Sequence, residues 1–321
     1  MTLTDRYMQE PLLEKALPRI QEVYAGLEEK IHDGSTRKIP INHPLDYFYQ
    51  VMRIKQAGVD KGVAFMQQFW EDNERIFDGA LTRDFWLAQG ECMPFAPGVP
   101  EGFIDLKRRY DNDQLKLYCA VITVGNLPIL QQSRIAEFAD MIMGSDYKYD
   151  EHGKITGYKH VVSPFSKNEE LMCAMKGSTE LLDQVIKHVD YKFSYWNLLG
   201  LGDGFTDVSK FSLIRQRGGI CVAVYDPSNH SARDKLARAV AGRVHYVLPR
   251  DYTPGSITHQ YLDKIIQGMI AQKCKFPPKL IYDLKDDIMP AEAWHPDALE
   301  LTKNHYDSCG ECQDRTKVIV E

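Results

Sequence analysis

The chain has 321 residues, 44% hydrophobic and 26% charged, with 39 Lys and Arg against 45 Asp and Glu for a net charge of -6. That is ordinary globular composition, and the charges are mixed along the chain, so no basic stripe exists to neutralise a row of phosphates and a nucleic-acid partner is disfavoured. No apolar run approaches the ~20 residues that cross a bilayer, and the N-terminus lacks a basic region leading into an apolar one, so the expectation is a cytoplasmic protein without a membrane span. Seven cysteines are a sparse, odd count, which argues against a disulfide framework, and Cys119 and Cys221 lie in apolar runs as small buried hydrophobes.

In chain order, Leu12, Leu13, Ala16, Ile20, Val23, Tyr24 and Leu27 recur at spacings of three and four, as do Val63, Phe65, Met66, Phe69 and Trp70. Residues 11–85 are therefore expected to be all-α. The aromatic and acidic stretch Phe65, Phe69, Trp70, Glu71, Asp72 and Glu74 reads either as that segment's own core or as a pocket lining. From Pro97 onward the period changes. Leu115–Val124, Trp196–Leu201, Ile220–Tyr225 and Val244–Leu248 read as buried strands, with helical patterns at about 128–142, 167–176, 206–217 and 230–240. Strand and helix in alternation imply right-handed crossovers and a mostly parallel, Rossmann-like α/β sheet covered on both faces. Ligands in such sheets sit beyond the carboxyl ends of the strands.

Three strand ends stand out. Leu-Leu-Gly-Leu-Gly-Asp-Gly-Phe-Thr-Asp, Leu198–Asp207, delivers Asp203 and Asp207 four residues apart, a pair suited to one hard cation such as Mg²⁺. Equally, Gly204 forms a turn and Asp207 caps the following helix. Val-Ile-Thr-Val-Gly, Val121–Gly125, places the Thr123 hydroxyl at the same kind of edge, as a phosphate donor or as a β-branched strand residue. Ser-Pro-Phe-Ser-Lys, Ser163–Lys167, sets Lys167 at a helix start, where a cation opposes the helix dipole unless an anion lies nearby.

In this order, followed by Gly-Gly-Ile-Cys-Val-Ala-Val-Tyr-Asp (Gly218–Asp226), these strand ends resemble the haloacid dehalogenase superfamily of phosphohydrolases over roughly residues 2–255. The resemblance implies that Thr123 is the phosphate-binding hydroxyl of the second motif and Lys167 the lysine of the third, with Asp203 and Asp207 the Mg²⁺-associated acids of the fourth. Phe95-Ala-Pro-Gly98 with Phe103–Lys107 is similar to the family's entry into the helix before the second strand. The implied organisation is a remnant following the first motif at 1–11, part of the core, an inserted α-helical cap at 12–92 and an α/β hydrolase core with a C-terminal extension at 93–321.

The family's first motif, an apolar strand ending in Asp-x-Asp-x-Thr, supplies the nucleophile and the acid/base. No Asp-x-Asp follows an apolar run here. Asp111 and Asp113 follow Arg-Arg-Tyr and read as a turn. Thr2-Leu3-Thr4-Asp5-Arg6-Tyr7-Met8-Gln9-Glu10-Pro11 resembles the segment that directly follows the two aspartates in one bacterial branch, which would put both just before Met1. Asp5 is a conceivable stand-in. Phosphoryl transfer to a carboxylate runs through an aspartyl-phosphate, and the cation and lysine neutralise the phosphoryl oxygens. A chain without the nucleophile would bind a small phosphorylated substrate and turn it over poorly. Two readings stand: a Mg²⁺-dependent phosphohydrolase, and an inactive relative that retains phosphate or metal binding. A weaker third, a redox or zinc protein, rests on Cys309 and Cys312, one Cys-x-x-Cys near His305 and Asp307 that lacks the second ligand pair of a zinc site and sits in a polar tail where a redox pair would open a helix after a strand. His160, His230, His245 and His259 fall near apolar segments and read as structural.

Overall fold

The computed structural model describes residues 2–112, 115–181, 183, 191–193, 195–229 and 231–271. Asp113, His230, His305, Asp307, Cys309 and Cys312 lie outside the described residues. The fold is mixed α/β and falls into two compact units. One comprises Thr4–Phe95 and Tyr118–Lys167. The other comprises Leu3 and the residue before it, Ala96–Leu117 and the described residues from Asn168 on.

The first unit begins with a helix at Glu10–Val23 that buries Leu12, Leu13, Ala16 and Ile20, the stripe read from their spacing. The expectation of an all-α segment fails at 28–38, where β1 (Glu28–Lys30) and β2 (Thr36–Lys38) form an antiparallel hairpin. Its turn is made by Asp33, whose Oδ1 accepts from Ser35 N at 2.9 Å and Ser35 Oγ at 2.6 Å, with Gly34 at φ 86°. Asp-Gly turn chemistry overrode the helical reading. A π-helical stretch Tyr47–Met52 and a helix at Lys61–Ile76 follow. Asp60 caps the latter, accepting from Gly62 N and Val63 N.

β3 (Ala120–Asn126) then pairs in parallel with β4 (Met141–Tyr149), which pairs antiparallel with β5 (Ile155–His160). The helix expected over 128–142 stops at Gln132. Ser133 is extended at ψ 167° and caps a short 3-10 turn, Arg134–Glu137, and the chain turns into β4, a strand the helical pattern concealed. The two units divide at 95/96, and residues 118–167 group with the helical segment. The β4–β5 hairpin explains this grouping. Tyr147 Oη donates to Met66 O at 2.8 Å, Trp70 and Tyr158 meet edge-on at 5.4 Å, and Arg83 N donates to Gly153 O at 3.0 Å.

In the second unit β6 (Leu199–Gly202), β7 (Ile220–Tyr225) and β8 (Tyr246–Pro249) form a parallel sheet in that order. β7 agrees residue for residue with its expected span. The expected start at Trp196 is instead a 3-10 turn, Tyr195–Asn197. Helices at Val208–Gln216 and Ala232–Ala239 make the crossovers. Cys221, Val222 and Ala223 are fully buried, whereas Cys119, expected to be buried, is only half-buried. Among the described strands, β3 and β6 are each paired along one edge only. No described helix is long and apolar enough to cross a membrane.

Candidate functional site

Each unit carries two of the four residues singled out from the sequence. In the first, Thr123 lies where β3 leaves the ladder: between the pairs Ile122–Met143 and Asn126–Ser145, β3 has three residues where β4 has one. Such a bulge re-aims side chains. Gly125 N donates to Thr123 Oγ1 at 3.1 Å. The hydroxyl thus accepts inside its own turn, and its proton remains available to an anion. Gly144 makes room for the bulge, since a Cβ there would come within 2.9 Å of Gly125 O and 3.2 Å of Thr123 Cγ2. Lys167 opens the helix Lys167–Lys176 and is buried.

In the second unit β6 ends at Gly202, and the loop that follows carries Asp203 and Asp207 together. Gly204 takes φ 141°, a conformation L side chains rarely adopt. Asp207 sits at the N-cap of Val208–Gln216 but makes no side-chain cap bond, so the capping role weighed from the sequence does not hold. Its carboxylate turns back. Oδ2 accepts from Asp203 N at 3.3 Å, and Oδ1 pairs with Lys210 Nζ at 2.9 Å, which also donates to Leu201 O at 3.2 Å. Both partners are buried, so removing one would leave an uncompensated charge. Gly202 is required beside them, because a Cβ would sit 2.6 Å from Asp207 Oδ2.

Asp203 is held from the other side. Thr2 Oγ1 donates to Asp203 Oδ1 at 2.8 Å, and Tyr252 Oη donates to Thr2 O at 2.7 Å. Burial above all, then the Asp203 carboxylate, raises the Tyr252 phenol well above its ordinary range, so it stays a donor. The carboxyl ends of β7 and β8 contribute Asp226 and the buried Arg250, 3.6 Å apart. The Ser228 hydroxyl and N–H hold the Asp226 carboxyl below the usual range.

Sequence reading missed Tyr252, Lys210, Arg250 and Ser145. Arg250 directly follows β8 and was within reach of the rule that ligands gather at strand ends. Lys210 three residues after Asp207 is an ordinary helical ion-pair spacing. The stripe at 65–74 resolves toward packing: Phe65, Phe69 and Asp72 are buried, while Trp70 is partly exposed against Tyr158. Asp5, weighed as a substitute nucleophile, is exposed.

Hard oxygen donors at the end of β6 fit a Mg²⁺ ion, which keeps several waters and needs only one or two carboxylates. Asp203 and Asp207 are the carboxylates present there, with Asp207 Oδ2 accepting from Asp203 N and its Oδ1 paired to Lys210 on the following helix. Among the described residues no three His, Cys, Asp or Glu side chains gather as a metal-binding group. No family model matches the chain, and no curated protein is significantly similar to it.

Proposed function

We propose that this chain is a cytoplasmic, Mg²⁺-dependent phosphohydrolase of the haloacid dehalogenase type, acting on a small phosphorylated metabolite, with a Rossmann-like core and a helical cap, and with the nucleophilic Asp of the first motif missing from these residues. The observation that carries it is the construction around Asp203. Thr2, which opens the segment read as following the first motif's two aspartates, donates to the carboxylate read as the fourth motif's acid. Those two positions are 201 residues apart, and both belong to segments that the resemblance assigns to the site.

In this reading the Thr123 hydroxyl and Lys167 bind phosphoryl oxygens, Asp203 holds the cation, and Asp207 with Lys210 keeps the Asp203 loop in place. Mg²⁺ supplies neutralisation of the charge that spreads over those oxygens. A second reading, a protein that binds phosphate or metal without turnover, is favoured by the lack of any Asp-x-Asp after an apolar run. Hydrolysis of a chromogenic phosphate ester separates the two. Mg²⁺-dependent turnover lowered at least about a hundredfold by Asp203→Ala would support the enzyme, and phosphate binding with no turnover would support the second reading.

A further inference from the structure

Thr123 and Lys167 belong to segments far apart in sequence, yet one buried hydroxyl joins those segments. Ser145 lies on β4 opposite Asn126, where the bulged end of β3 returns to the ladder. Its Oγ donates to Val124 O at 2.9 Å and accepts from Val162 N at 3.0 Å, with Val162 O a weaker second acceptor at 3.4 Å. The side chain is fully buried, so water does not compete for these bonds.

From Val162 the chain runs without slack to Lys167. Ser163 Oγ accepts from Phe165 N at 3.2 Å and Ser166 N at 3.1 Å, and Ser166 Oγ accepts from Ser163 N at 2.8 Å. The turn therefore satisfies its own backbone and delivers Lys167 at the first position of its helix. The opposite side of the turn is fixed by close approach. A Cβ on Gly62, in the capped first turn of Lys61–Ile76, would lie 2.5 Å from Val162 O.

We infer that Ser145 is a positioning residue for phosphoryl binding. It locks the strand end that carries Thr123 to the turn that carries Lys167, and so fixes how the two groups are presented. This rests on the phosphoryl-binding reading proposed above. A serine that merely fills a strand position would need only its volume, whereas this one supplies both a donor and an acceptor to two different segments. Positional errors of an ångström in such groups cost on the order of a hundredfold.

The test is calorimetric binding of inorganic phosphate to the full chain in Mg²⁺, for wild type, Ser145→Ala, Ser145→Thr, Lys167→Ala and the Ser145→Ala/Lys167→Ala double variant. Amide exchange of Val162–Lys167 is followed alongside. Ser145→Ala is expected to weaken phosphate about ten- to a hundredfold and to speed exchange over Val162–Lys167. Ser145→Thr, which keeps the hydroxyl, restores most of the affinity. The double variant binds no more weakly than Lys167→Ala, because the two act as one unit. Should Ser145→Ala fail to fold, Ser145→Cys, of similar volume but weak hydrogen bonding, takes its place and is expected to lose affinity in the same direction. Wild-type affinity in the Ala or Cys variant, equal losses in Ala and Thr, or additive losses in the double variant would overturn the inference and leave the functional reading standing. A wild-type chain that binds no phosphate would overturn the functional reading, and the role of Ser145 with it.

Discussion

His245 precedes β8, and its Nδ1 accepts from Cys221 N at 3.0 Å. Desolvation first, then the nearby Arg215 cation, push the ring down to about 3. The folded ring thus binds its proton less readily than the unfolded chain, so unfolding takes up a proton once the pH falls below about 6.5. The resulting stability is fully present above that pH and is lost toward pH 3, at up to about 1.4 kcal/mol per pH unit. The urea midpoint of the wild type should fall more steeply than that of His245→Asn between pH 6.5 and 4, and parallel profiles would refute this. Cys221, across the same bond, is pushed up to about 12 by burial, so it is a packing group and not a nucleophile. The sequence had placed both residues as structural from their apolar surroundings alone. It had no means of seeing Lys210 turn Asp207 away from the helix N-terminus, because that choice depends on where Leu201 O and Asp203 N lie after folding.

Between elements, the helical segment is pinned by one buried carboxylate. Asp72, on the helix Lys61–Ile76, accepts from Tyr24 at 2.7 Å, from Tyr47 at 2.9 Å and from Gln68 at 2.7 Å, and pairs with Arg75. Burial, and then this carboxylate, raise both tyrosines well above their usual range, so both remain donors. Tyr24 follows the first helix and Tyr47 begins the π-helical stretch, so a single side chain ties three elements together. Asp72→Ala should cost about 3–5 kcal/mol, because it strands several buried donors at once, while Asp72→Asn should cost less. A denaturation midpoint for Asp72→Ala equal to that of the exposed control Glu71→Ala would contradict this. The helices here were legible from three- and four-residue spacing. The β1–β2 hairpin was signalled by Asp33-Gly34 but outweighed by its helical neighbours. β4 was hidden because Met141–Met143 continues an apolar pattern readable with either period.

Across the whole molecule, the described strands beyond the β1–β2 hairpin form two three-stranded sheets, one mixed (β3–β4–β5) and one parallel (β6–β7–β8), in which β7 is paired on both sides and β3 and β6 on one. β7 also has four buried residues in its six, whereas Ala120–Gly125 of β3 are all partly exposed. Amides of Ile220–Tyr225 should therefore exchange more slowly than those of Ala120–Gly125, and equal protection would mean that the β3 edge is covered. Composition and periodicity by themselves determined the α/β class, the amphipathic helix Glu10–Val23, the β7 span and the end of β6 that Asp203 follows, because alternating and 3.6-residue patterns are local properties of the chain. The strand expected at 115–124 runs instead from Ala120 to Asn126 and keeps Thr123 inside it. Only the tertiary structure decided that Thr2 meets Asp203, that Asp207 is held by Lys210, and that Ser145 bridges the end of β3 to the turn before Lys167. Those are contacts between residues distant in sequence or between loop conformations, and nothing in local patterning encodes which buried polar group will answer which.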